Sequence, residues 1–143
     1  MSKLNLNINH IPSYQEYEMS ATLAHQYMCH IYPQCTFLLW DAIYWTVHIE
    51  DWNEIFIDVA KSMPAYTVDK FDCDNFALLT AARVNERYQL NSCGIAIGNT
   101  PQGYHGWTVF ITPDEAMFYE PQTGQIMELE NPEAYKPDII ILG

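Results

Sequence analysis

The amino-acid sequence predicts an α+β domain, with helices first and an antiparallel sheet after them. Two observations carry this. Apolar residues recur at helical spacing through much of the first 88 positions, and from Ser92 onward short apolar runs alternate with Pro- and Gly-marked turns. With 143 residues, the chain is read as one domain, residues 1–143, with one core.

The elements follow in order. Ser13 and Glu16 have capping-box spacing, and a helix of about 14–31 is expected to run until Pro33 stops it. The run TFLLWDAIYWTVHIED is rich in aromatic and β-branched residues and predicts strand around 42–49. Trp52, Ile55, Phe56 and Val59 then repeat at a helical period, and Pro64 ends that helix. After the connector AYTVDKF, Asp72 is placed to cap a helix over 73–88. SCGIAIGN reads as a buried strand and TPQG as a turn. YHGWTVFIT alternates, with His105, Trp107, Val109 and Ile111 on one face. MFYE, IMELE and DIIIL complete the sheet, and consecutive strands are expected to pair.

Composition narrows the function. A formal net charge of −12, with only six Lys and Arg, opposes binding to nucleic acid. No apolar run reaches the ~20 residues a membrane helix needs, and the first residues lack the apolar core of a secretory signal. The expected setting is the cytoplasm, with Cys29, Cys35, Cys73 and Cys93 as free thiols.

The chemistry concentrates in KFDCDNFALLTAARV. Cys73 lies in the first turn of the predicted helix, between Asp72 and Asp74. A helix N-terminus favours a thiolate by ~0.3–1 kcal/mol, which is less than one pK unit. The two aspartates oppose it by a similar amount, so activation of the thiol needs a cation. His105 opens the second strand after the helix, and Glu120 closes the third, just before Pro121. If those strands pair, thiol, imidazole and carboxylate can act in series: the imidazole takes the thiol proton, and the acid holds its tautomer. The backbone N–H of Cys73 is the one oxyanion donor that can be named.

DCDNFA, HGWTVF and YEPQTG, taken in that order, resemble the papain-like and transglutaminase-like cysteine superfamily. The nearest flavour is the C-terminal cysteine-protease domain of the Marasmius oreades agglutinin and related phage and bacterial proteins. The resemblance covers residues of about 66–124. It implies a papain-like fold packed on the helix that starts at Cys73 and a Cys73–His105–Glu120 triad. It also implies a cysteine peptidase or amidase acting on a peptide or protein substrate. Dependence on a divalent cation comes with the resemblance. Asp72 and Asp74 are then candidate ligands for Ca2+, helped by loop oxygens such as that of Asn99. A transglutaminase-type acyl transferase and a non-catalytic acidic binding module on the same scaffold are the alternatives.

The cluster HQYMCHIYPQC offers His25, Cys29, His30 and Cys35, but its spacing departs from paired zinc ligands, and an amphipathic helix explains it better. Cys93 is read as packing, Trp107 as packing beside the histidine, and Trp40, Trp45 and Trp52 as core or interface.

Overall fold

The computed structural model describes residues 14–143. Ser13, half of the expected capping box, lies outside the described residues. The first elements are β1 (Tyr17–Ser20) and α1 (Ala21–Cys29). The long helix expected over 14–31 is therefore corrected. Residues 17–20 pair antiparallel with β3 (Ile43–Thr46), and Ser20 starts α1 by accepting the Leu23 N–H at 3.1 Å.

The remaining elements are β2 (Thr36–Leu39), α2 (Ile49–Ala60), α3 (Cys73–Tyr88), β4 (Cys93–Thr100), β5 (Gly103–Ile111), β6 (Ala116–Glu120), β7 (Gln125–Glu128) and β8 (Lys136–Leu142). The main sheet has six strands in the order β2-β8-β4-β5-β6-β7. Strands β4 to β7 form an antiparallel meander. The last strand does not extend it. It returns to lie between β2 and β4, parallel to the first and antiparallel to the second. Sheet dominates the described residues, with three short helices beside eight strands. The expected helices-first α+β layout with a purely antiparallel sheet is corrected accordingly. None of these helices is long and apolar enough to cross a membrane.

Alternation along β5 explains why its run WTVFI is buried throughout. Trp107, Val109 and Ile111 pack on one face with Met28 of α1, Phe118, Ile140 and Leu142. Phe110 faces the other way, among Trp52, Phe56 and Val59 of α2, Val84 and Tyr88 of α3, and Tyr119. Both faces are thus covered, and the polar positions of a half-exposed strand disappear. Trp52 is fully buried and donates its indole N–H to Ile111 O at 2.9 Å, whereas Trp40 is 72% exposed. Cys93 is buried as packing, and His25 sits edge-on against Phe37.

Close approach of β8 to β4 depends on two glycines. A Cβ on Gly94 would lie 1.9 Å from Ile141 O, and one on Gly98 would lie 2.1 Å from Lys136 O. Neither obstacle is a flexible side-chain end. Gly94→Ala is expected to cost on the order of 3 kcal/mol, because the strand pair must separate to admit the methyl group. Urea unfolding that leaves the midpoint unchanged would refute this account of the β4–β8 contact.

Candidate functional site

Helix α3 begins where the sequence predicts. Asp72 is extended at the N-cap, and its backbone N–H donates to Asn75 Oδ1 at 3.1 Å, the reciprocal half of a capping box. The first turn is pressed against β5. A Cβ on Gly106 would stand 3.1 Å from Asp74 Cα, so glycine at 106 lets the helix turn lie tight against the strand. Cys73 is half-buried in that turn, and the ligand-type atoms of Asp72, Cys73 and Asp74 all lie within 4.8 Å of one another. The Asp74 carboxylate beside Asp72 raises the proton affinity of the latter, first through a side-chain hydrogen bond.

On β5 the residue before Gly106 points to the opposite face. His105 Nε2 meets Glu120 Oε2 at 2.6 Å, with the imidazole 17% and the carboxylate 4% exposed. The expected neighbourhood of these two residues is present. Tyr135, from the stretch between β7 and β8, donates its hydroxyl to the same Glu120 oxygen at 3.0 Å. The Gln122 N–H donates to Glu120 Oε1 at 3.1 Å. The rings of Trp107 and Tyr135 pack on His105 at centroid distances of 6.1 and 5.9 Å.

The fixed nitrogen of the imidazole is thus Nε2. Among the described residues neither Nδ1 nor the Cys73 thiol has a hydrogen-bond partner, and the two do not bond to each other. The structure therefore joins His105 to Glu120 and places Cys73 on the adjoining helix turn. Asn99 sits on β4 opposite Tyr104, one register step from the Gly98–His105 pair.

Sequence reasoning missed Tyr135. Nothing in NPEAYK marks it, because the contact is made by a loop folding back from beyond β7.

The chain matches one family along nearly its whole length. It belongs to the family described as the ricin-type β-trefoil lectin C-terminal domain, whose model matches residues 4–142. Two of the solved structures that share the fold are similar over most of this chain. One, described as a PSL1a–E64 complex, has a TM-score of 0.68 and 22% identity, covering 87% of this chain and 51% of that one. The other is Polyporus squamosus lectin bound to the human-type influenza-binding epitope Neu5Acα2-6Galβ1-4GlcNAc. Its TM-score is 0.65 and its identity 24%, covering 87% of this chain and 49% of that one. The chain thus spans about half the length of these lectin chains. No curated protein matches it.

These findings correct several expectations. The family matched is a lectin family, and the fold is shared with lectin chains, in place of the papain-like or transglutaminase-like assignment. The cysteine peptidase or amidase, the acyl transferase and the peptide substrate rested on that assignment and are replaced with it. The alternative of a non-catalytic binding module fits the lectin family only loosely.

Burial, and then the charge and hydrogen bond of Glu120, hold the Tyr135 phenol well above its ordinary value. Burial, followed by the charge of Glu130, pushes Tyr32 up to about 12. The folded state therefore holds these protons more tightly than the unfolded chain. Their contribution is intact below the ordinary tyrosine value of 10.0 and is lost as pH rises toward the folded values. Urea midpoints are expected to fall between pH 10 and 12. Tyr135→Phe should lower stability by about 1 kcal/mol at pH 7, since a buried carboxylate oxygen loses a donor, and should flatten the alkaline fall. An unchanged alkaline slope would remove Tyr135 from this role.

Proposed function

We propose that this chain is the C-terminal domain of a carbohydrate-binding protein, working as one domain over residues 1–143, and that its partner is a glycan. The observation that carries the reading is the match of a lectin C-terminal family over residues 4–142. The similar lectin described with a sialylated trisaccharide supports it and supplies the probe. The four cysteines are free thiols, which suits a reducing compartment such as the cytoplasm. Calorimetry with Neu5Acα2-6Galβ1-4GlcNAc should give saturable binding at micromolar to millimolar ligand, the range of about −8 to −4 kcal/mol. A flat titration with this trisaccharide and with a broad glycan array would overturn the reading.

Within the domain, Cys73, His105 and Glu120 are proposed as one functional site, with Tyr135 as the group that positions the carboxylate. Support comes from the 2.6 Å His105–Glu120 pair and from the contact of the Cys73 helix turn with the strand that carries His105. Burial pushes Cys35 up to about 11 and raises Cys93 further, so these two thiols are poor nucleophiles at neutral pH.

Asp72 and Asp74 are proposed to hold Ca2+. Their oxygen donors suit that ion, and a divalent cation would relieve the repulsion that raises Asp72; backbone or loop oxygens, with Asn99 a candidate, would complete the set. Iodoacetamide at pH 7 should label Cys73 ahead of Cys35 and Cys93, and His105→Ala should slow this by about tenfold, the equivalent of one pK unit. Millimolar CaCl2 should raise the melting temperature of the wild type more than that of Asp74→Asn. Labelling unaffected by His105→Ala would dissolve the site, and identical melting with and without calcium would dissolve the metal.

A further inference from the structure

Arg83 and Arg87 are the only arginines of the chain, and they stand one turn apart on α3. Both reach the same oxygen. Arg83 Nη1 and, at 2.9 Å, Arg87 Nη2 donate to Ser62 Oγ, just past the end of α2. Arg83 Nη1 also donates to the Ser62 carbonyl. Beneath this point Val59 of α2 and Val84 and Tyr88 of α3 share one buried cluster, which fixes the two helices against each other. Lys61, exposed, is the neighbouring residue. Three of the six Lys and Arg in a chain of net charge −12 are thus gathered at one place.

One carboxylate offsets them. Asp58 Oδ2 lies 3.3 Å from Arg87 Nη1 and accepts the Tyr88 hydroxyl at 2.6 Å. Among the described residues Arg83 has no carboxylate partner. Its bonds to Ser62 both come from Nη1, so the N–H groups of Nε and Nη2 remain to be used. A hydroxyl can accept from two guanidinium groups, but it brings no charge to balance them. Two cations drawn to one neutral oxygen repel, and Asp58 compensates only Arg87.

We propose that this arginine fork binds a phosphate group, carried either by the free ion or by a phosphate monoester. One guanidinium donates two parallel N–H bonds to an oxyanion. A carboxylate has both its oxygens taken by one such fork, whereas a phosphate has oxygens enough for two. Ser62 is exposed, so the anion arrives from solvent and takes over from the hydroxyl as acceptor. The C-terminal end of α2 opposes an anion by a factor of roughly two to five in affinity. Each charge-assisted bond favours it by about tenfold or more, so the arginines prevail. The proposal is independent of the glycan reading.

The test titrates inorganic phosphate and, separately, O-phosphoserine into the isotope-labelled 143-residue chain at neutral pH and constant ionic strength. With two arginines there are two Nε–H signals, and both should shift saturably with one dissociation constant, about millimolar or tighter. Acetate should move neither to saturation. Calorimetry should show Arg83→Ala weakening phosphate at least about tenfold, the effect of losing one charge-assisted bond. Arg83→Lys keeps the charge and the fold but lacks the fork, and should weaken it severalfold. Lys136→Ala, a cation elsewhere on the surface, should leave it unchanged. Equal affinity for both probes marks a site open to phosphate on a larger molecule, and binding of the inorganic ion alone marks a site for the free ion; either supports the fork. Shifts that never saturate, acetate binding as well as phosphate, or affinity that survives Arg83→Ala would overturn it.

Discussion

The second half of this molecule is organised around one buried carboxylate. Glu120 is 3% exposed at the end of β6. A carboxylate taken out of water is tolerated only when its oxygens are paired or hydrogen-bonded. Its partners come from three separate places: His105 on β5, the Gln122 N–H in the turn after β6, and Tyr135 beyond β7. Meeting that one requirement fixes the start of β5, the 120–124 turn and the loop leading into β8. It also explains why the aromatic rings of Trp107 and Tyr135 gather here, since they seal the pair from water and leave the imidazole edge toward solvent.

A second constraint is the return of the chain end into the sheet. β8 takes the place beside β4 that a simple meander would leave as an open edge, and β2 then covers β8. An exposed edge invites pairing with other chains, and this insertion moves the edge to a four-residue strand. The insertion is possible because β4 carries glycine at 94 and 98, where the backbone of β8 comes closest. The loop that feeds β8 must then cross the sheet end near Tyr32, which brings Tyr135 to Glu120.

Local signals were legible in the sequence where they were self-contained. Asp72 and the apolar spacing after it located α3 from Cys73 to Tyr88. The alternation of YHGWTVFIT located β5, and adjacency of consecutive strands anticipated the meeting of His105 with Glu120. Non-local pairings were not legible. Residues 17–20 pair with β3, a partner more than twenty positions away, whereas the capping-box spacing of Ser13 and Glu16 assigns them to a helix. The parallel β2–β8 pair joins residues about a hundred positions apart, and no local pattern announces it. The family is non-local in the same way: three short motifs in order resemble a papain-like enzyme, whereas the match that identifies the lectin family draws on residues 4–142.

The arrangement of strands also decides how the two parts of the candidate site are related. Gly106 and Asp74 meet on one face of β5, while His105, Glu120 and Tyr135 gather on the other. In the middle of a complete sheet, such groups would be walled off from each other by the sheet itself. β5, however, runs from Gly103, and β6 pairs with it only from Thr108 onward. Over residues 103–107 β5 therefore has no strand partner on the β6 side, and the first turn of α3 meets it at Gly106. A group that engages both the acidic thiol turn and the imidazole must approach around this free edge. The side chains at this stretch are exposed Tyr104 and half-buried His105, and of the two only His105 is tied to the buried carboxylate.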